Sequence, residues 1–149
     1  IERSKAQIEG LLLKHGAEGY HTGWQAPTAS DPGWDAVEFL WKGKQIRFRL
    51  PRPTPRVGER VQPWATDHYG LQLTGGRLQA RIDQRNRQRW RVLFLVIKAK
   101  LEAVEAGVAC FEDEFLAFIV TGSGRTVGEI LVPRLAASAG PLQLEEGRG

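Results

Sequence analysis

The sequence predicts an α+β fold, in which a small antiparallel sheet of about three or four strands packs on one long helix, with shorter N- and C-terminal helices completing the core. Three patterns carry that reading. Apolar and polar residues alternate on both sides of Lys42-Gly43-Lys44, a helical-period apolar stripe runs from about Leu78 to Ala106, and shorter helical patterns lie near both ends. With 149 residues, 42% of them apolar, the chain has material for one core of ordinary size. Residues 1–136 are therefore expected to form a single domain and 137–149 a flexible tail.

Ser4 can cap a first helix over Lys5 to His15, because Ile8, Leu11 and Leu12 recur at helical spacing and Gly16 is a suitable stop. Tyr20 to Gln25 then alternates as a short strand, ended by Pro27 and the Ser30-Asp31-Pro32-Gly33 cluster. Val37, Phe39 and Trp41 before the Lys42-Gly43-Lys44 turn, and Ile46, Phe48 and Leu50 after it, predict a hairpin. If those side chains face the core, Glu38, Arg47 and Arg49 share the opposite, basic face. Four prolines and four glycines between Pro51 and Gly76 predict a loop whose Pro51-Arg52-Pro53-Thr54-Pro55-Arg56 stretch extends as an arm.

The long helix over Leu78 to Ala106 buries Trp90, Leu93, Ile97, Leu101 and Val104, and Leu95, near its polar side, suggests burial on two sides. A second helix near Cys110 to Val120 groups Phe111, Phe115, Phe118 and Ile119, with Glu112, Asp113 and Glu114 at the end where the helix dipole favours acids. Thr126 and Glu129 form a capping box for a last helix, which Pro133 is expected to shorten.

Several function classes are set aside by composition. The longest apolar run, Val92 to Ile97, is far short of the roughly 20 residues of a spanning helix. No signal pattern or initiating Met precedes Ser4, which reads as a trimmed form of a non-secreted, cytoplasmic protein. The lone Cys110 suits a reducing compartment and reads as a small core residue. His15, His21 and His68 match no metal signature, and successive helical positions keep Glu112, Asp113 and Glu114 from converging on one ion. Thr121 to Thr126 lacks the lysine of a phosphate-cradling loop and reads as a turn before a capped helix. No catalytic constellation, metal site or cofactor is implied.

Charge is the informative feature. Between Lys42 and Arg91 thirteen cations face three acids, whereas after Lys100 eight acids face three arginines. Arg77, Arg81, Arg85 and Arg89 at i,i+4 spacing align as one stripe on a helix. Such a stripe can track a phosphate backbone, meet an acidic protein surface, or form a solvated face. Trp24, Trp34, Trp64 and Tyr69 are available as stacking surfaces, although aromatics in strands more often fill the core.

The segments Lys5 to Ala17, Arg89 to Gly107, Phe111 to Leu116 and Gly124 to Glu129 resemble a group of small uncharacterised proteins of phages and prophages of high-GC bacteria. The element order also resembles, in architecture alone, phage single-strand annealing proteins. A phage setting implies nucleic-acid handling or interference with a host protein. The leading expectation is a nucleic-acid-binding accessory protein of phage replication or recombination, gripping the backbone without base specificity through Arg47, Arg49, Arg52, Arg81, Arg85 and Arg89. The alternative is a protein-binding modulator of a host enzyme or defence system, with no nucleic acid involved. Head-to-tail self-association of the basic middle with the Glu112 to Glu114 region is a further option.

Overall fold

The alternation around Lys42-Gly43 folds into two strands of a three-stranded antiparallel sheet, in a computed structural model that describes residues 1–138. Strands β1 (Gly19–Gln25), β2 (Trp34–Trp41) and β3 (Lys44–Pro51) lie in that spatial order, with β2 in the centre. Lys42 and Gly43 both take positive φ, 51° and 73°, which is the twist a two-residue hairpin turn requires. The register sets Val37 opposite Phe48 and Phe39 opposite Ile46, so one face carries the apolar set; Glu38 opposite Arg47 and Ala36 opposite Arg49 occupy the other.

The apolar face packs on the long helix, which spans Gly75–Glu105 as α2 and buries Trp90, Leu93, Ile97 and Leu101. The earlier helix α1 (Glu2–Lys14) closes one side with Ile8 and Leu12. Phe115 meets Phe39, Phe48 and Trp41 edge-on, while Trp41 donates its indole N–H to the His15 carbonyl at 3.0 Å. Edge-on contacts suit the ring quadrupoles, and each fully buried aromatic side chain contributes about 1.5–3 kcal/mol.

Several expectations are corrected. Helix α1 begins at Glu2, with Ile1 and not Ser4 at its N-cap position. The stretch from Pro51 to Gly76 holds no long regular element before α2 begins at Gly75, but the expected loop contains a small hairpin, β4 (Arg56–Val57) and β5 (Arg60–Val61), and a 3-10 turn over Pro63–Ala65. The helix expected over Cys110 to Val120 is interrupted. Helix α3 covers only Phe111–Phe115, a 3-10 turn follows over Leu116–Phe118, and Ile119 then bridges Ile46 on the outer edge of β3. Stacking of Phe118 on Phe48 at 4.2 Å and that strand bridge hold the chain away from helical geometry. Helix α4 (Val127–Ser138) continues through Pro133, so Ala137 and Ser138 are helical; the rest of the expected tail lies outside the described residues. Finally, Leu95 is 47% exposed and Cys110 is exposed, so neither belongs to the core.

The capping box forms as expected, with the Glu129 N–H donating to Thr126 Oγ1 at 3.2 Å and the Thr126 N–H to Glu129 Oε2 at 3.3 Å. Among the described residues no helix is long and apolar enough to cross a membrane.

Candidate nucleic-acid interface

The basic half of α2 follows helical geometry. Each i,i+4 step rises about 6 Å and turns about 40° beyond a full revolution. The row Arg77, Arg81, Arg85 and Arg89 therefore creeps around the axis, and its first two members are exposed while the last two are half-buried. Arg87 and Arg91 point elsewhere into solvent.

Beside the row sits Trp64. Its 3-10 turn is anchored by the fully buried Ala65, whose carbonyl accepts the Leu73 N–H at 2.8 Å, so the indole has a fixed base. Arg81 donates from Nη1 to the Trp64 carbonyl at 3.0 Å, and the Arg85 guanidinium lies 5.1 Å from the Trp64 ring centroid, within cation–π range. Trp64, Arg81, Gln84, Arg85 and Gln88 line a polar cleft of about 300 Å³. A neighbouring groove of about 480 Å³ continues past Arg89 to Val92, Val96 and Leu50. Burial, and after it the positive charge of Arg85, lowers the pKa of Arg89 from its ordinary value. An anion bound beside Arg89 would offset both the cost of burying its charge and the repulsion from Arg85. Among the described residues, no carboxylate forms an ion pair with Arg77, Arg81, Arg85 or Arg89.

The other three predicted arginines are placed differently. Arg47 is paired with Glu38 through Nε and donates from Nη1 to the Gly124 carbonyl at 2.8 Å. Arg49 reaches Glu129 at 3.2 Å and lies over the Trp34 ring at 4.4 Å. Arg52 does not project on an extended arm; it is held between Asp35, at 3.6 Å, and the Trp24 ring, at 5.8 Å. Arg47 and Arg49, on the sheet's outer face, and Arg52, just beyond the end of β3, thus each have a carboxylate partner. The six predicted residues separate into a helical triplet free of carboxylate partners and a hairpin triplet engaged in internal pairs.

Gln84 and Gln88 are the side chains that the sequence reading missed, and their i,i+4 spacing with each other on the arginine helix was the available signal. Both add amide donors and acceptors to the cleft. Among the described residues no group of three His, Cys, Asp or Glu side chains is placed to hold a metal ion. Compared with known protein families, curated proteins and solved structures, the chain matches none of them.

Proposed function

We propose that the protein binds nucleic acid through backbone phosphates, without reading base sequence, as an accessory protein of phage replication or recombination. One observation carries the reading: four arginines in a single row along α2 have no carboxylate partner among the described residues, and the row borders the anchored face of Trp64. Guanidinium groups supply several donors each to phosphate oxygens, and an aromatic face stacks on any base without regard to its identity. The resemblance of four sequence segments to phage proteins supplies the proposed setting.

The test is fluorescence anisotropy with labelled single- and double-stranded DNA and RNA between about 50 and 200 mM salt, where phosphate contacts lose most affinity. Four contacts predict a slope of log K against log salt of about −3 on single strands and about −3.6 on duplex DNA. The triple substitution Arg81→Ala, Arg85→Ala, Arg89→Ala is expected to flatten that slope by roughly two units while leaving the fold intact. An absence of binding at the low-salt end, or binding indifferent to the triple substitution, would overturn the reading in favour of the protein-binding alternative.

A further inference from the structure

The two edges of the sheet are treated differently. Along β3 the outer edge is met by Ile119 and Val120, bears Arg47 and Arg49, and lies beside the start of α4 through the Arg49–Glu129 pair. Those are the usual means by which a protein blunts an edge. Strand β1 has none of them. Its seven residues, Gly-Tyr-His-Thr-Gly-Trp-Gln, contain no Lys, Arg, Asp, Glu or Pro. It pairs with β2 one residue for one from Gly19↔Leu40 to Gln25↔Trp34, so no bulge turns it away. Among the described residues, Gly19 to Gln25 make no backbone hydrogen bond beyond the β2 ladder, leaving the outward N–H and C=O groups of a full strand unpaired. Trp24, near its end, is 69% exposed.

We infer that the free edge of β1 is a dimer interface, occupied by β1 of a second copy running antiparallel about a two-fold axis at Thr22. The occupant is a second copy because the strand is complementary to itself. Thr22 is the middle residue of Gly19–Gln25, so only an axis there pairs all seven residues of both strands. On that axis Thr22 faces its own counterpart and Tyr20 faces Trp24 twice, all on the sheet face that also carries Phe39 and Val37. Hydroxyl–hydroxyl and aromatic–aromatic pairs are among the favourable cross-strand combinations. On the opposite face His21 lies across from Gly23, whose lack of a side chain leaves room for the imidazole. With no Lys, Arg, Asp or Glu in the strand, and with His21 set opposite Gly23 and not opposite its own copy, charge repulsion between the two strands is small, and a two-fold axis satisfies the same groups on both partners. The resulting sheet is six-stranded, with only the two protected β3 edges outermost.

Sedimentation velocity of the chain from about 1 to 100 µM, a range that brackets association of modest strength, should show conversion to twice the 16.6 kDa mass. Thr22→Lys sets two like charges face to face on the axis and should weaken the dimer by at least about tenfold. In a Cys110→Ser background, Thr22→Cys should cross-link to itself on mild oxidation, whereas His21→Cys, facing Gly23, should not. A monomer at every concentration overturns the inference. So does a dimer indifferent to Thr22→Lys, or cross-linking that is equal at the two cysteine positions. Should Thr22→Lys fail to fold by circular dichroism, the cysteine pair decides. The dimer should persist when Arg81, Arg85 and Arg89 are replaced, so this inference and the nucleic-acid reading stand or fall separately.

Discussion

Glu38 concentrates more polar chemistry than any other side chain of the sheet. One carboxylate oxygen accepts from Arg47, and the other from Gln45 at 3.2 Å and His21 at 2.9 Å. Burial acts to raise its pKa, but the hydrogen bond from Arg47, the charge of that guanidinium, and the contributions of His21 and Gln45 outweigh it and hold the carboxyl below its ordinary value. A depressed folded-state pKa means that the ionised group stabilises the fold above the unfolded carboxylate range, and that this contribution is lost as pH falls through the folded value. Glu38→Gln should therefore cost about 1–3 kcal/mol near neutral pH, the scale of a lost charged hydrogen bond that leaves Arg47 without its partner. In urea unfolding followed by tryptophan fluorescence, the gap between variant and parent should narrow as pH is lowered through the acidic range. A gap constant with pH would assign the loss to packing and not to charge. The sequence placed Glu38 and Arg47 on one sheet face, which alternation alone can do; it did not reveal the other bond of Arg47, to Gly124, because that contact depends on how the C-terminal segment returns to β3.

Elements were legible where the pattern is local. The stripe from Trp90 to Leu101, the alternation from Val37 to Leu50 and the Thr126/Glu129 box all repeat at the period of the structure they form. What the sequence concealed lies where tertiary contact overrides local preference. Phe115 to Val120 keeps an apolar spacing compatible with a helix, yet Phe118 stacking on Phe48 and Ile119 pairing with Ile46 give a turn and an extended bridge instead. The connection between β1 and β2 was legible as a break at Ser30-Asp31-Pro32-Gly33, but its close approach was not: it closes on Gly33 at φ +82°. A Cβ there would lie 2.6 Å from the Gln25 carbonyl oxygen and 2.9 Å from the Pro27 nitrogen, and neither backbone atom can swing aside. Gly33→Ala should destabilise the fold by about 2–4 kcal/mol, combining the left-handed backbone penalty with that clash. Gly43→Ala, with a similar φ of +73° and nothing within 4 Å of the added carbon, should show the backbone penalty alone, about 1–2 kcal/mol. Equal urea midpoints for the two variants would remove the clash from the account.

Across the whole molecule, the excess of cations between Lys42 and Arg91 was plain in the sequence, but the charge available to a partner was not. Availability depends on which carboxylates fold back onto which cations. Asp35 is a strand neighbour of Leu50, close enough to Arg52 to have been suspected; Glu129 reaches Arg49 from the far end of the chain, which no local pattern encodes. The arginines of α2 were legible because their row follows from helical spacing alone, and they find no carboxylate partner among the described residues. Two sets of three arginines, equal in formal charge, should therefore behave oppositely. Replacing Arg47, Arg49 and Arg52 together with Gln breaks three ion pairs, one of them with the largely shielded Arg47 and Glu38 side chains, each 14% exposed. That variant should lose roughly 2–4 kcal/mol of unfolding free energy, mostly from removing the cation beside the shielded Glu38, since exposed pairs contribute about 1 kcal/mol or less each. Its salt slope for nucleic acid should stay within about one unit of the parent, because those cations release few counterions on binding. The Arg81, Arg85 and Arg89 variant should show the reverse, a nearly unchanged urea midpoint with the slope flattened. Measuring midpoint and slope on the same two proteins separates the roles: if the hairpin triplet flattens the slope as much as the helical one does, the ion pairs open on binding and the interface extends from α2 onto the sheet.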